Sequence, residues 1–223
     1  MIPKISPDDD DRSIAGQIAR SLAEQIVTGA LLPGVRLMQD EIATRFKASH
    51  VPVREAFRRL EAQGLIVSEP RRGARVASLE PEDVIEVTEM RAALEPLALK
   101  ASAPRLTAAD LATARSAMAD CDGTTDITVW ENANRRFHAA LYLPGRRPRL
   151  LASIADLHRI SARYLYAAWK DLDWQDRSSA EHSSIIRALE EGAIDGASEL
   201  LRDHILEAGH ALADRMTAQR RSS

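Results

Sequence analysis

Residues Leu32 to Val76 read LPGVRLMQDEIATRFKASHVPVREAFRRLEAQGLIVSEPRRGARV, and the spacing of their apolar positions changes twice. Pro33-Gly34 stops an incoming helix, and Gln39 to Lys47 then sets Ile42, Ala43 and Phe46 on one face of a short second helix. Ser49 can cap a third helix running to about Gln63, with Val53, Ala56, Phe57 and Leu60 facing inward. Pro52 is tolerated in its first turn, where backbone N–H groups lack an intrahelical partner. After Gly64 the pattern becomes two short β-branched runs around Pro70 to Gly73, which predicts a β-hairpin with a basic tip. Upstream, Ile14, Ile18, Leu22, Ile26 and Val27 form one buried helical stripe within Ser13 to Ala30. Helix, short helix, helix and hairpin make a winged helix-turn-helix.

Charge supports the same division. The 223 residues carry a net charge of -3, which taken alone argues against a protein built to hold nucleic acid. Arg12 to Ala77 nevertheless contains 11 Lys/Arg against 6 Asp/Glu, a net of +5, while residues 1–11 carry -3 and the remainder -5. A basic N-terminal module joined to an acidic one points to nucleic-acid contact by the basic half. The run Asp8 to Asp11 predicts a disordered acidic tail over 1–11. The reading module is expected over 12–78, with SLEPED (Ser78 to Asp83) at the boundary, and a helical domain over 79–218. The lone Cys121 excludes a disulfide framework, a cysteine-built zinc site and a CxxC redox centre. No stretch approaches 18 uncharged apolar residues and no signal-peptide h-region is present, so the expected location is the cytoplasm.

In a winged helix-turn-helix the third helix enters the major groove, while basic side chains and helix N-termini grip phosphate. That assigns DNA contact to Ser49, His50, Val51, Arg54 and Arg58 on the helix, to Arg71, Arg72, Gly73 and Arg75 at the hairpin, and to Arg36 before helix two. Arg54 can fork onto a guanine edge or hold a phosphate.

From Pro81 onward only helical patterns occur, over about Pro81–Ala103, Thr107–Asp120, Asp126–Leu143, Pro148–Lys170, Gln175–Glu191 and Ile194–Thr217. The fold class is therefore mainly α, a winged helix-turn-helix followed by an antiparallel six-helix bundle. His138, His182 and His204 lie on three different helices, and Asn134 shares a helical face with His138 four residues on. Three imidazoles and an oxygen donor suit a divalent transition metal, zinc or nickel, with positions left open. Spacing alone equally allows ordinary core or surface histidines.

The stretch PVREAFRRLEAQGLI and its surroundings resemble the DNA-binding domain of GntR-type bacterial transcription regulators. The chain departs from that pattern at His50, where arginine is usual, at Val51, where threonine is usual, and at Asp40, where some members place a base-reading arginine. In the second module EMRAALEPLAL (Glu89 to Leu99), NRRFHAALY (Asn134 to Tyr142) and AEHSSIIRALEEGAIDGASELLRDHI (Ala180 to Ile205) are similar to the FCD effector domain of the FadR-type branch. Six effector helices bring the chain nearer the VanR-type subgroup. The resemblance implies metal ligation by Asn134, His138, His182 and His204. Asn134 in place of Asp removes a charge, which leaves the site more dependent on an anionic effector.

A small organic acid could fill the open positions, with Arg91, or secondarily Arg163, forking onto its second oxygen. Arg91 could equally form an i, i+4 pair with Glu95. Trp130, Trp169 and Trp174 could wall the pocket or belong to the core. The expected function is a homodimeric, ligand-responsive regulator on palindromic operator DNA. A metal-dependent hydrolase fused to a DNA-binding module and an effector-free architectural protein are the competing readings. No catalytic residues are assigned and no membrane contact is expected.

Overall fold

The computed structural model describes residues 13–69, 73–78, 80–122, 124–168 and 174–222. The chain divides after Leu79 into two compact units. The expected acidic tail lies outside the described residues.

In the first unit α1 (Ile14–Val27) starts at Ser13, whose hydroxyl accepts from the Gly16 amide at 3.0 Å, the arrangement that serine offers at a helix N-cap. Next come β1 (Arg36–Leu37), α2 (Gln39–Phe46), α3 (His50–Ala62), β2 (Ile66–Glu69) and β3 (Gly73–Val76). The turn between α2 and α3 is tight, with Lys47 in the left-handed region at φ 50° and the Ala48 amide donating to the Ala43 carbonyl. The inward faces meet in one core that includes Ile18, Leu22, Ile42, Val53, Phe57 and Leu60.

The expected two-stranded hairpin is a three-stranded antiparallel sheet of order β1-β3-β2, with Arg36 opposite Arg75 and Leu37 opposite Ala74. Strand β1 is only two residues long, too short to show a period of two. Gly73 has φ +85°, and a Cβ there would lie 2.8 Å from the Leu37 carbonyl oxygen. A glycine at this position lets β3 come alongside β1.

The second unit contains α4 (Pro81–Ser102), α5 (Ala108–Asp122), α6 (Ile127–Tyr142), α7 (Pro148–Ala168), α8 (Gln175–Glu190) and α9 (Ile194–Ser222). These are the six expected helices, the last extending past Thr217, with short 3-10 turns at Ala103–Arg105 and Leu143–Gly145. Thr107 and Asp110 cap one another before α5. The Thr107 amide and hydroxyl donate to the Asp110 carboxylate at 2.9 and 2.6 Å, which lowers its pKa. Asp126 accepts from the Thr128 and Val129 amides and starts α6 in the same way.

Helix α4 runs unbroken through Pro96, although proline removes one backbone hydrogen bond there. The core gathers Leu99, Phe137, Leu141, Ile185, Ile186 and Leu201. Close packing of α4 on α9 is set by Gly209, where a Cβ would fall 2.1 Å from the Thr88 hydroxyl. Among the described residues, no helix is long and apolar enough to cross a membrane.

Candidate functional site

Helix α3 presents Ser49, His50, Val51, Arg54 and Arg58 to solvent, because Val53, Ala56, Phe57 and Leu60 take the opposite, buried face. Val51 is 65% exposed, more than any other large hydrophobic residue described. Ser49 occupies the N-cap of α3, yet its side chain makes no capping hydrogen bond. Arg54 and Arg58 lie four apart on this face, and neither has a hydrogen bond or ion pair to another described residue. Arg36 is exposed on β1. Arg75 is half-buried and donates to the Gly34 carbonyl at 3.0 Å, so it also ties the Pro33-Gly34 turn to the sheet. Arg71 and Arg72 lie outside the described residues. Two of the unusual positions meet: His50 Nε2 is 3.5 Å from the Asp40 carboxylate.

The histidines lie in the second unit. Helix α6 carries Trp130, Asn134 and His138 at intervals of four, which sets them along one face. They line a cavity together with Thr88 and Arg91 from α4, His158, Ser161 and Leu165 from α7, Trp174 and Ser178 at the start of α8, and His204 and Gly209 from α9. The atom-free space, mouth included, is about 650 Å³. Trp130 and Trp174 therefore wall the cavity while being largely buried. Trp169 lies outside the described residues.

His138, His182 and His204 are all buried, and one nitrogen from each lies within 4.8 Å of the others. His182 Nε2 and His204 Nε2 are 3.2 Å apart. Two nitrogens at the usual ~2.0–2.1 Å from one ion, separated by a right or tetrahedral angle, stand about 3 Å apart, so this spacing fits a shared metal. His182 is held flat against Phe137, with centroids 3.8 Å apart. Two further atoms carry the most weight: His138 Nε2 and Asn134 Oδ1 are buried with no hydrogen-bond partner. An orphaned buried polar atom costs on the order of 1–3 kcal/mol, and both atoms are of a kind that ligates a cation.

The other ring nitrogens are engaged. His138 Nδ1 lies 3.1 Å from Glu95 Oε2 and 2.9 Å from the Tyr142 hydroxyl, which itself donates to Glu95 Oε2 at 2.5 Å. His204 Nδ1 lies 2.6 Å from Glu181, and Arg177 holds that carboxylate from the other side at 2.7 Å. Burial drives the His138 pKa down to about 3 against the pull of Glu95. Burial first, then His204 and His138, lowers His182 well below its ordinary value. His138 and His182 are thus neutral, the form that ligates metal.

Glu95, 0% exposed, is the hub. Burial alone would raise its pKa, but Arg91, then His158 and His138, hold it well below the usual carboxylate range. The i, i+4 pair of Arg91 with Glu95 does form, at 2.6 Å, and the same guanidinium lines the cavity. Its Nη1 donates to Ser161 at 3.1 Å and its Nη2 lies 3.4 Å from His158 Nε2. Glu95, His138 and His158 are close enough to form a second metal trio. There, however, the Arg91 guanidinium already supplies the positive charge. Arg163 is buried with Asp83 and Tyr164 as its charged and polar neighbours, and it is not among the residues lining the cavity.

Sequence reasoning missed His158, Glu181 and the hub role of Glu95. His158 had one legible signal, its place on the buried stripe Ile154, Leu157, His158, Ala162 of α7.

Comparison with known proteins agrees with both units. The model "FCD domain" matches residues 86–207 and "Bacterial regulatory proteins, gntR family" matches residues 14–76. The probable D-xylose utilization operon transcriptional repressor of Paenarthrobacter nicotinovorans is 30% identical over 195 residues, 86% of each chain. The Nta operon transcriptional regulator of Aminobacter aminovorans is 29% identical over 177 residues, 78% of this chain and 82% of that protein. A GntR family transcriptional regulator from Pseudomonas syringae pv. tomato shares 31% identity and a TM-score of 0.58, covering 97% of this chain and 90% of its own. McbR/YncC of E. coli shares the fold, with a TM-score of 0.78 at 23% identity over 92% of this chain and 99% of its own. These relatives are transcription regulators, not enzymes. The chain belongs to the GntR family, as a regulator of the FadR-type subfamily with an N-terminal winged helix-turn-helix and a C-terminal FCD domain.

Proposed function

We propose that the protein is a cytoplasmic, ligand-responsive regulator that binds palindromic operator DNA as a homodimer and senses a small carboxylate at a divalent metal in its helical unit. Repression is the role named for its relative from Paenarthrobacter nicotinovorans. Asn134 Oδ1 and the Nε2 atoms of His138, His182 and His204 would hold the ion, zinc or nickel. The observation that carries this reading is the pair of orphaned, buried acceptors, His138 Nε2 and Asn134 Oδ1.

An amide oxygen and imidazole nitrogens bring no negative charge as ligands, so a divalent ion would keep its full charge and leave coordination positions for an anionic oxygen. Arg91, which lines the cavity beside Ser161 and His158, would supply the second hold on such an anion. Binding shifts DNA affinity to the extent that the effector prefers one of the DNA-competent and incompetent states. Operator contact is assigned to Arg36, Ser49, His50, Val51, Arg54, Arg58, Arg71, Arg72, Gly73 and Arg75.

Elemental analysis of the purified protein beside a His182→Ala/His204→Ala variant tests the site. Wild type should hold about one ion per chain and the variant almost none, with DNA binding in the absence of ligand retained. Equal metal content in both would refute the assignment.

A further inference from the structure

We propose that Glu95 is a positioning residue that fixes the tautomer of His138 and so prepares its Nε2 to receive the metal. The inference rests on the metal reading above, but its first test does not. The two oxygens of Glu95 have separate duties. Oε1 faces Arg91 Nε at 2.6 Å and His158 Nε2 at 3.1 Å. Oε2 accepts the Tyr142 hydroxyl at 2.5 Å and faces His138 Nδ1 at 3.1 Å. Because Tyr142 spends its only proton on Glu95, its oxygen can only accept from His138. Both atoms within reach of His138 Nδ1 are therefore acceptors, and the proton of the neutral ring sits on Nδ1. The lone pair is left on Nε2, the atom that is buried without a partner.

Glutamine at position 95 keeps the shape and changes this logic. Its amide nitrogen cannot face the Arg91 guanidinium, which only donates, so it must take the Oε2 side. A donor then faces His138 Nδ1, the ring adopts the other tautomer, and Nε2 carries the proton. Metal binding must then displace that proton or turn the ring. Loss of such an outer partner weakens metal affinity by about 10–100-fold.

The test uses the full chain and zinc as the probe. Two-bond 15N–1H spectra of the metal-free protein should show the Nδ1–H form of His138 in wild type and the Nε2–H form in Glu95→Gln. This readout needs no metal, and a role in folding alone would not move it. Zinc affinity, measured by competition with a chromophoric chelator, should fall about 10–100-fold in Glu95→Gln. In a His138→Ala background the same substitution should cause no further loss. An unchanged tautomer, unchanged zinc affinity, or an equal loss in the His138→Ala background would overturn the proposal. Failure of the metal reading looks different: wild type and His182→Ala would bind zinc alike while the tautomer still inverted.

Discussion

Arg54 tests the reading face at the scale of one side chain. It is exposed and lies one turn into α3, on the face proposed to meet DNA. Arg54→Ala is expected to weaken operator binding by about fivefold to 150-fold in gel shifts, the equivalent of ~1–3 kcal/mol for a bidentate arginine contact. The circular dichroism spectrum should be unchanged, since no described residue leans on this side chain. Glu95 makes the opposite case. Its removal as Glu95→Ala leaves the half-buried Arg91 without its carboxylate, at a cost of up to about 3 kcal/mol. Thermal unfolding followed by far-ultraviolet dichroism measures that loss, and a melting point equal to wild type would contradict the hub.

At the scale of elements, two glycines set how closely segments approach. Gly73→Ala imposes a positive φ on a residue with a Cβ and drives that Cβ against the Leu37 carbonyl. A loss of about 1–3 kcal/mol is expected, measured by urea unfolding of the first unit. Gly209→Ala meets the buried Thr88 side chain between α4 and α9 and should cost about 1–3 kcal/mol in the second unit.

The elements also show how far the sequence could be read. Helix α3 and its inward residues were legible because burial on one face of a helix leaves a regular period. Strand β1 was not, because two residues leave no period, and its pairing with β3 joins Leu37 to Ala74 across a long separation. Placement on three helices offered His138, His182 and His204, with Asn134, as candidate ligands, but only the resemblance made them one set, since no spacing rule brings residue 138 to residues 182 and 204. Their partners were hidden for the same reason. Arg91 reaches His158, and Glu95 reaches Tyr142, across turns of chain that carry no local trace of the contact.

At the scale of the whole molecule, the charge division predicts salt behaviour. The first unit is basic, and phosphate contacts carry much of the affinity in protein–DNA binding, so affinity should fall steeply and linearly on a logarithmic salt axis. A flat response in filter binding would contradict phosphate-led docking. Acid should weaken the metal-free second unit. His138 has a folded pKa of about 3 against about 6.5 when unfolded, so the unfolded chain binds more protons throughout that window. Stability is therefore lost as pH falls from about 6.5, and the depressed Glu95 acts in the same direction at the lower end of the window. Melting scans between pH 7 and 4 check this; a transition that rises on acidification would contradict it.

Helix α4 has one more consequence. It begins at Pro81, two residues beyond the end of the first unit, and Arg91 lies ten residues along it, a rise of about 15 Å. The helix that forms a wall of the cavity is thus the same rod that receives the chain from the first unit. Under the proposed function, an anion that drew Arg91 toward the metal would load this rod at a point covalently continuous with the connecting segment.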